Sequence, residues 1–157
     1  MSENRIEIQP DQHIEYFESN TALMVSMNQD GEKNVMALDW KEIEQRGEGF
    51  IIRTQVAYSR YTYKLLTEGL KEFTINIPSE KISHAISITG SYSGRNTDKF
   101  QKAGLETIPG VSSKVPTLKD CLLNYECKIV ETRKSDLSSH HFFYGKVLKA
   151  FASKEIL

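Results

Sequence analysis

The sequence predicts a mainly β fold, an antiparallel β-barrel with short helices packed outside it. Three observations point there. Strand-like runs outnumber helical ones. The helical segments are short and fall between strands. The two longest strand candidates, near the C-terminus, are joined by a polar loop as in a hairpin. The chain has 157 residues, which suits one domain with one sizeable core. It has no internal repeat, low-complexity segment or linker, so residues 1–157 are read as a single domain.

Residues 1–12 are polar and peripheral, with Ile6 and Ile8 alternating as in a short edge strand. Residues 13–17 form a small apolar-aromatic patch that fits no element type. Residues 21–27 read as a strand that ends at a turn around Asp30-Gly31, and 34–40 resume as its hairpin partner. Residues 41–48 are too charged for a core helix and are expected to be a loop or a short surface helix. Residues 50–57 are a third strand. It runs into a helix whose apolar positions are Tyr61, Leu65 and Leu66 and whose stop is Gly69. Residues 72–77 alternate and stop at Pro78, a fourth strand. A short helix over 79–86 fits Ile82 and Ile86, four apart. A small-residue loop follows over 90–96, then a short helix closed by Gly104. With two prolines, 105–116 is expected to be mostly irregular; 122–132 and 141–152 are long strands joined by a hairpin loop over 133–139.

Composition narrows the function classes. The net charge is −1, whereas non-specific nucleic-acid binding relies on a cationic surface. Cys121 and Cys127 make neither a disulfide framework nor a zinc site. No apolar run approaches the roughly 20 residues that span a bilayer. The N-terminus lacks the basic-then-apolar order of a signal peptide, so a cytoplasmic location is the default expectation.

Two stretches have the chemistry of anion sites. Ser59-Arg60-Tyr61-Thr62 places two hydroxyls and a guanidinium at a helix N-terminus, where free N–H groups and the helix dipole favour a phosphate. The same residues also suit a plain capped helix, with Ser59 as N-cap and Arg60 on the surface. In the second stretch, 93–100, Gly94 lets the backbone approach a ligand, and Arg95 and Lys99 sit four apart near a helix start.

The order of segments resembles the flavin reductase-like family, the FMN-binding split-barrel proteins that include flavoredoxins. The matching residues are Asp30-Gly31 with Asn34-Val35-Met36-Ala37-Leu38-Asp39-Trp40, then Ser59 to Tyr63, then Glu72 to Pro78. Ser93-Gly94-Arg95 with Asp98-Lys99-Phe100 follow, and late in the chain Tyr125-Glu126-Cys127 and His140 with Gly145-Lys146-Val147. The match covers residues 20–150. It implies a split β-barrel of Greek-key type with FMN as cofactor. Backbone from Asn34, Val35, Met36, Ala37, Leu38 and Asp39 would lie along the flavin ring. Ser59, Arg60 and Thr62 would hold the phosphate, with Ser93, Gly94, Arg95 and Lys99 adding to it, and Asn76 joins the cofactor-binding set. His140 would border the donor or acceptor site. The resemblance also implies a homodimer with the flavin near the interface, and NADH or NADPH as donor.

This chain departs from the family pattern at three places. Asp39 stands where a small residue or Ser is usual; its carboxylate either lowers the flavin potential or points outward. Arg46-Gly47-Glu48-Gly49 replaces a proline-bearing stretch, and Ser139 replaces an Asp before the late His. Other candidates are weaker. His140 and His141, as strand neighbours, face opposite ways and cannot easily share a metal ion. Cys127 sits in an apolar strand as a small hydrophobe, His84 reads as a surface residue, and Trp40 suits flavin stacking, a core or an interface equally. The expectation is an FMN-binding flavin reductase or flavoredoxin-like oxidoreductase. The alternatives are a non-catalytic split barrel holding FMN or another phosphorylated cofactor, and a purely structural barrel.

Overall fold

The computed structural model describes residues 4–135 and 139–157. Outside them lie the first three residues of the expected N-terminal segment and residues 136–138 of the expected hairpin loop. Ten strands are described: β1 (Arg5–Ile8), β2 (Ala22–Met27), β3 (Lys33–Leu38), β4 (Lys41–Arg46), β5 (Gly49–Ala57), β6 (Glu72–Pro78), β7 (Thr107–Ile108), β8 (Thr117–Leu118), β9 (Cys121–Lys134) and β10 (His140–Ser153). Four α-helices accompany them: α1 (Ile14–Ser19), α2 (Tyr61–Glu68), α3 (Ala85–Ser91) and α4 (Lys99–Ala103).

The main sheet is antiparallel in the order β3-β2-β6-β9-β10-β5-β4, and β1 pairs with the far half of β10. Met36 and Leu38 from one end of this path share a core with Ile52 and Val56 from the other. The sheet therefore curls on itself into a split barrel, open between its two ends. Phe17 of α1 is inserted into that core, edge-on to Tyr125 at 5.3 Å. A second core lies outside the barrel wall, where Leu23, Val25 and Val35 meet Ala85 of α3, Phe100 of α4 and Leu118 of β8. Strand β2 has a covered face on each side, which is why Ala22 to Val25 read as an unbroken apolar run.

The structure adds helix α1 and the short strands β7 and β8 to the expected elements, and it departs from the expectation most in the stretch 41–48. That stretch is not a loop or helix: β4 pairs with β5 from Lys41↔Thr54 to Arg46↔Gly49. It is an edge strand carrying outward charges, among them Glu42 paired with Arg53, so only Ile43 reports its alternation. The Arg46↔Gly49 pairing leaves a two-residue turn in which Gly47 takes φ 61°, a left-handed conformation natural to glycine. The helix expected over 79–86 is displaced. It is a 3-10 turn, Glu80–Ile82, followed by α3 running to Ser91. Helix α4 is capped by Asp98, which accepts from the N–H groups of Phe100 and Gln101, and is closed by Gly104.

Two buried features fix the barrel wall. Gly145 lies at a bulge in the β9–β10 pairing, where a Cβ would come within 2.4 Å of the Phe73 ring and 2.9 Å of Cys127 Cβ. Glu126, fully buried, accepts from the backbone N–H groups of Val111 (2.8 Å), Ser112 (2.6 Å) and Ser113 (2.9 Å). One carboxylate thus satisfies and orders the irregular segment around residues 111–113.

Candidate functional site

A cleft of about 220 Å³ lies between the exit of β3 and the end of β5. One wall is the exit of β3, Met36 to Leu38, with Asp39 and Trp40 beyond it; the other is the end of β5, Gln55 to Ala57. Arg60 and His140 complete the lining. The register explains the grouping, since His140 opens β10 directly opposite Ala57. A larger cavity of about 980 Å³, between β1, the β8–β9 turn and the C-terminal segment, contains none of the expected site residues.

Of the β3 stretch, Met36, Ala37, Leu38 and Asp39 reach the cleft. Val35 packs its side chain into the second core and has only backbone to offer. Asn34 is 3% exposed and turns its amide away from the cleft toward Thr62. Asp39 is exposed and accepts a hydrogen bond from the Thr21 hydroxyl. Asp39 thus borders the cleft while its carboxylate is tied at the protein surface.

At the α2 turn, Ser59 is not the N-cap. Arg60 occupies that position in extended conformation, and no side chain caps the helix. The reason is register: the helix begins one residue later than the Ser59 reading requires, so the hydroxyl has no N–H within its turn to accept from. The uncapped α2 terminus faces the Ser93–Arg95 loop. Arg95 Nη1 donates to Ser59 O at 3.0 Å, and Ser93 Oγ accepts from Arg95 N at 3.2 Å. Ser59, Ser93 and Arg95 are exposed, while Thr62 is 1% exposed.

Lys99 is the least expected of the group. It is 3% exposed, with its ammonium donating to Thr89 O at 3.1 Å. Burial, and then the charge of Arg60, pull its pKa from 10.5 to about 8. Burial also lowers the pKa of the half-buried Arg60. Among the described residues no carboxylate pairs with either cation. Two cations held together without a counter-ion make a half-built site for an anion. Arg60 links the parts, since it lines the cleft and its charge is felt at Lys99.

Asn76 is corrected. It is fully buried and donates to Leu23 O (3.1 Å) and Thr74 Oγ1 (3.1 Å), while its oxygen accepts from Leu118 N (3.1 Å) and Asn124 Nδ2 (2.8 Å). That uses the full capacity of the amide, so Asn76 ties β6 to its neighbours and has nothing left for a ligand. His141 faces away from His140, into a cluster with Tyr58, Tyr63 and Phe143. Cys127 is a core thiol whose pKa burial pushes up.

A protein-family model, flavin reductase like domain, matches residues 15–156. The chain belongs to the flavin reductase-like family. An uncharacterized protein of Pyrococcus abyssi is 36% identical over 135 residues, 86% of this chain and 74% of that one. Among solved structures, flavoredoxin of Desulfovibrio vulgaris is 27% identical, with a TM-score of 0.75 over 88% of this chain and 72% of that one. An FMN-binding domain of a flavin reductases-like enzyme from Shewanella baltica has a TM-score of 0.81 at 17% identity, covering 100% of this chain and 81% of that one. That last similarity speaks for the split-barrel fold alone.

Site residues that sequence reading missed are Gln55 and Ala57, which line the cleft, and Thr89, which anchors Lys99. Gln55 and Ala57 had a signal: with Arg53 they occupy one face of a strand of period two. Thr89 had none, because its contribution is a backbone carbonyl.

Proposed function

We propose that this flavin reductase-like protein binds FMN in the cleft between β3 and β5 and works as an oxidoreductase. Electrons would pass from a nicotinamide or a protein donor to an acceptor. The observation that carries the reading is the pair Lys99 and Arg60, two sequestered cations without a carboxylate partner, next to a cleft with an apolar β3 wall. The residues present fit the group: the cations match its phosphate, while Gly94 spends its lack of a Cβ on close packing against Asn34 and Tyr61. Bound FMN would supply the hydride and electron chemistry.

The chain's own residues do the rest. Arg60 offers a planar fork to phosphate oxygens and Lys99 a point charge. The uncapped first turn of α2, an eight-residue helix, leaves backbone N–H groups for the same anion. Met36, Ala37 and Leu38 would give an apolar wall to a flat ring, and Trp40 borders it. His140 stands where a donor or acceptor would enter.

The outer sheet face beyond the cleft carries Trp40 edge-on to Phe142 at 5.6 Å, with the Arg53 guanidinium 5.2 Å from the Trp40 ring centre. Trp40 is 38% exposed. A second copy seated on this aromatic face would shield it and close the cleft, which favours a homodimer. A cytoplasmic setting fits the two buried free thiols.

Stopped-flow mixing of the FMN-loaded protein with NADH and with NADPH tests the reading. Bleaching of the flavin band with either donor is expected. No bleaching with either, nor with a reduced electron-transfer protein, would contradict an oxidoreductase.

A further inference from the structure

The Asn34 side chain is engaged away from the cleft. Its Nδ2 donates to Thr62 Oγ1 at 2.9 Å, within the first turn of α2. Its Oδ1 lies against Gly94: a Cβ there would fall 2.1 Å from Oδ1 and 2.8 Å from Tyr61 Cδ2. One buried amide therefore touches both segments that carry the cations, the α2 start with Arg60 and the loop that leads to Lys99. These segments are not strands and no ladder joins them. Their spacing depends on side chains. Arg95 makes a second clasp on the outside, bonding Ser59 O and lying 5.6 Å from the Tyr61 ring centre.

We propose that Asn34 is a positioning residue for the phosphate end of the site. It holds the α2 terminus and the Gly94 loop at one spacing, so that Arg60 and Lys99 converge before a phosphorylated ligand arrives. The inference rests on the FMN reading above. Its physical content is preorganisation: a loop ordered in advance does not have to be ordered at the expense of binding. Asparagine suits the position because one planar group must both donate to a hydroxyl and pass flat against a glycine. The effect should be confined to the phosphate. Riboflavin has the same ring but lacks the phosphate that the clasp would serve.

The test is a titration of apo-protein with FMN and with riboflavin, followed by quenching of flavin fluorescence. It compares the natural chain with Asn34→Leu and Gly94→Ala. Leucine keeps the branched shape of asparagine and removes both hydrogen-bonding groups. Alanine at 94 pushes the loop off Asn34 without touching a cleft side chain, and carries the test alone if Asn34→Leu does not fold. The natural chain should prefer FMN by about a hundredfold, the worth of two charge-assisted contacts. Each variant should cut that preference about tenfold while riboflavin affinity stays within about twofold. Variants that keep the natural preference, or lose both ligands equally, overturn the positioning role. A natural chain with no preference for FMN over riboflavin fails at an earlier step, and overturns the FMN reading and the clasp together.

Discussion

Replacing Lys99 with methionine should make the empty protein more stable and the ligand weaker. In the fold, burial and Arg60 hold the Lys99 pKa at about 8, against 10.5 for the free side chain. The folded value lies below the unfolded one. Between about 8 and 10.5 the unfolded chain therefore holds the extra proton, and stability from this group rises with pH across that window. Below about 8 the ammonium is a standing cost, roughly 3 kcal/mol if the whole drop were realised. Solvent screening reduces this to about 2 kcal/mol, and the lost bond to Thr89 O takes back about 1 kcal/mol. Lys99→Met should therefore raise the melting temperature of the apo-protein at pH 7 by about 3 °C. The same variant should bind FMN about tenfold or more weakly, with riboflavin unchanged. The natural chain should also bind FMN with constant affinity from neutral pH to about 8 and lose affinity above it, as Lys99 sheds its proton. Lys99→Met should show no such fall. Thermal melts and flavin titrations at pH 7 and 9 read all of this. A variant that melts lower and binds FMN as before would refute the reasoning, because Lys99 would then be a structural lysine.

Other consequences concern the flavin environment and the barrel wall. Asp39→Asn removes a negative charge at the cleft edge, and should raise the midpoint potential of bound FMN by about 30 mV; spectroelectrochemistry on both proteins measures it, and an unchanged potential would place the carboxylate out of reach of the ring. Glu126→Gln leaves one amide oxygen to serve three backbone N–H groups and should cost about 2–4 kcal/mol, seen as a melting point lower by about 8 °C. Gly145→Ala drives a methyl against the Phe73 ring and should cost about 1–3 kcal/mol; chemical denaturation of Gly145→Ala alone and combined with Phe73→Leu should show the second change relieving part of the first.

The barrel was legible in the sequence because its strands are bounded by recognisable turns: Asp30-Gly31, Pro78 and the polar stretch before His140. Strand β4 was hidden because an edge strand with a single apolar residue, Ile43, shows no alternation; only Gly47 between charged runs announced its hairpin. At the site, Arg60 and His140 were placed at the cleft by local chemistry and segment order. Asn76 was misjudged because an asparagine in a family-matched strand looks the same whether it bonds a ligand or four partners in a core. The side-chain contacts of Asn34 with Thr62 and Gly94, 28 and 60 residues away in the sequence, left no mark in the sequence pattern. Lys99 was chosen for its charge; that the charge is buried without a carboxylate partner could be known only from the fold.

The proposed flavin phosphate site joins Arg60, at the cleft, with the buried Lys99. Purified protein is incubated with excess FMN, freed of unbound flavin by gel filtration, and its visible spectrum recorded beside that of the double variant Arg60→Ala/Lys99→Met. A flavin spectrum should co-elute with the natural chain and be lost from the variant. A natural chain that elutes colourless, or a double variant that retains FMN equally well, would contradict the proposed site.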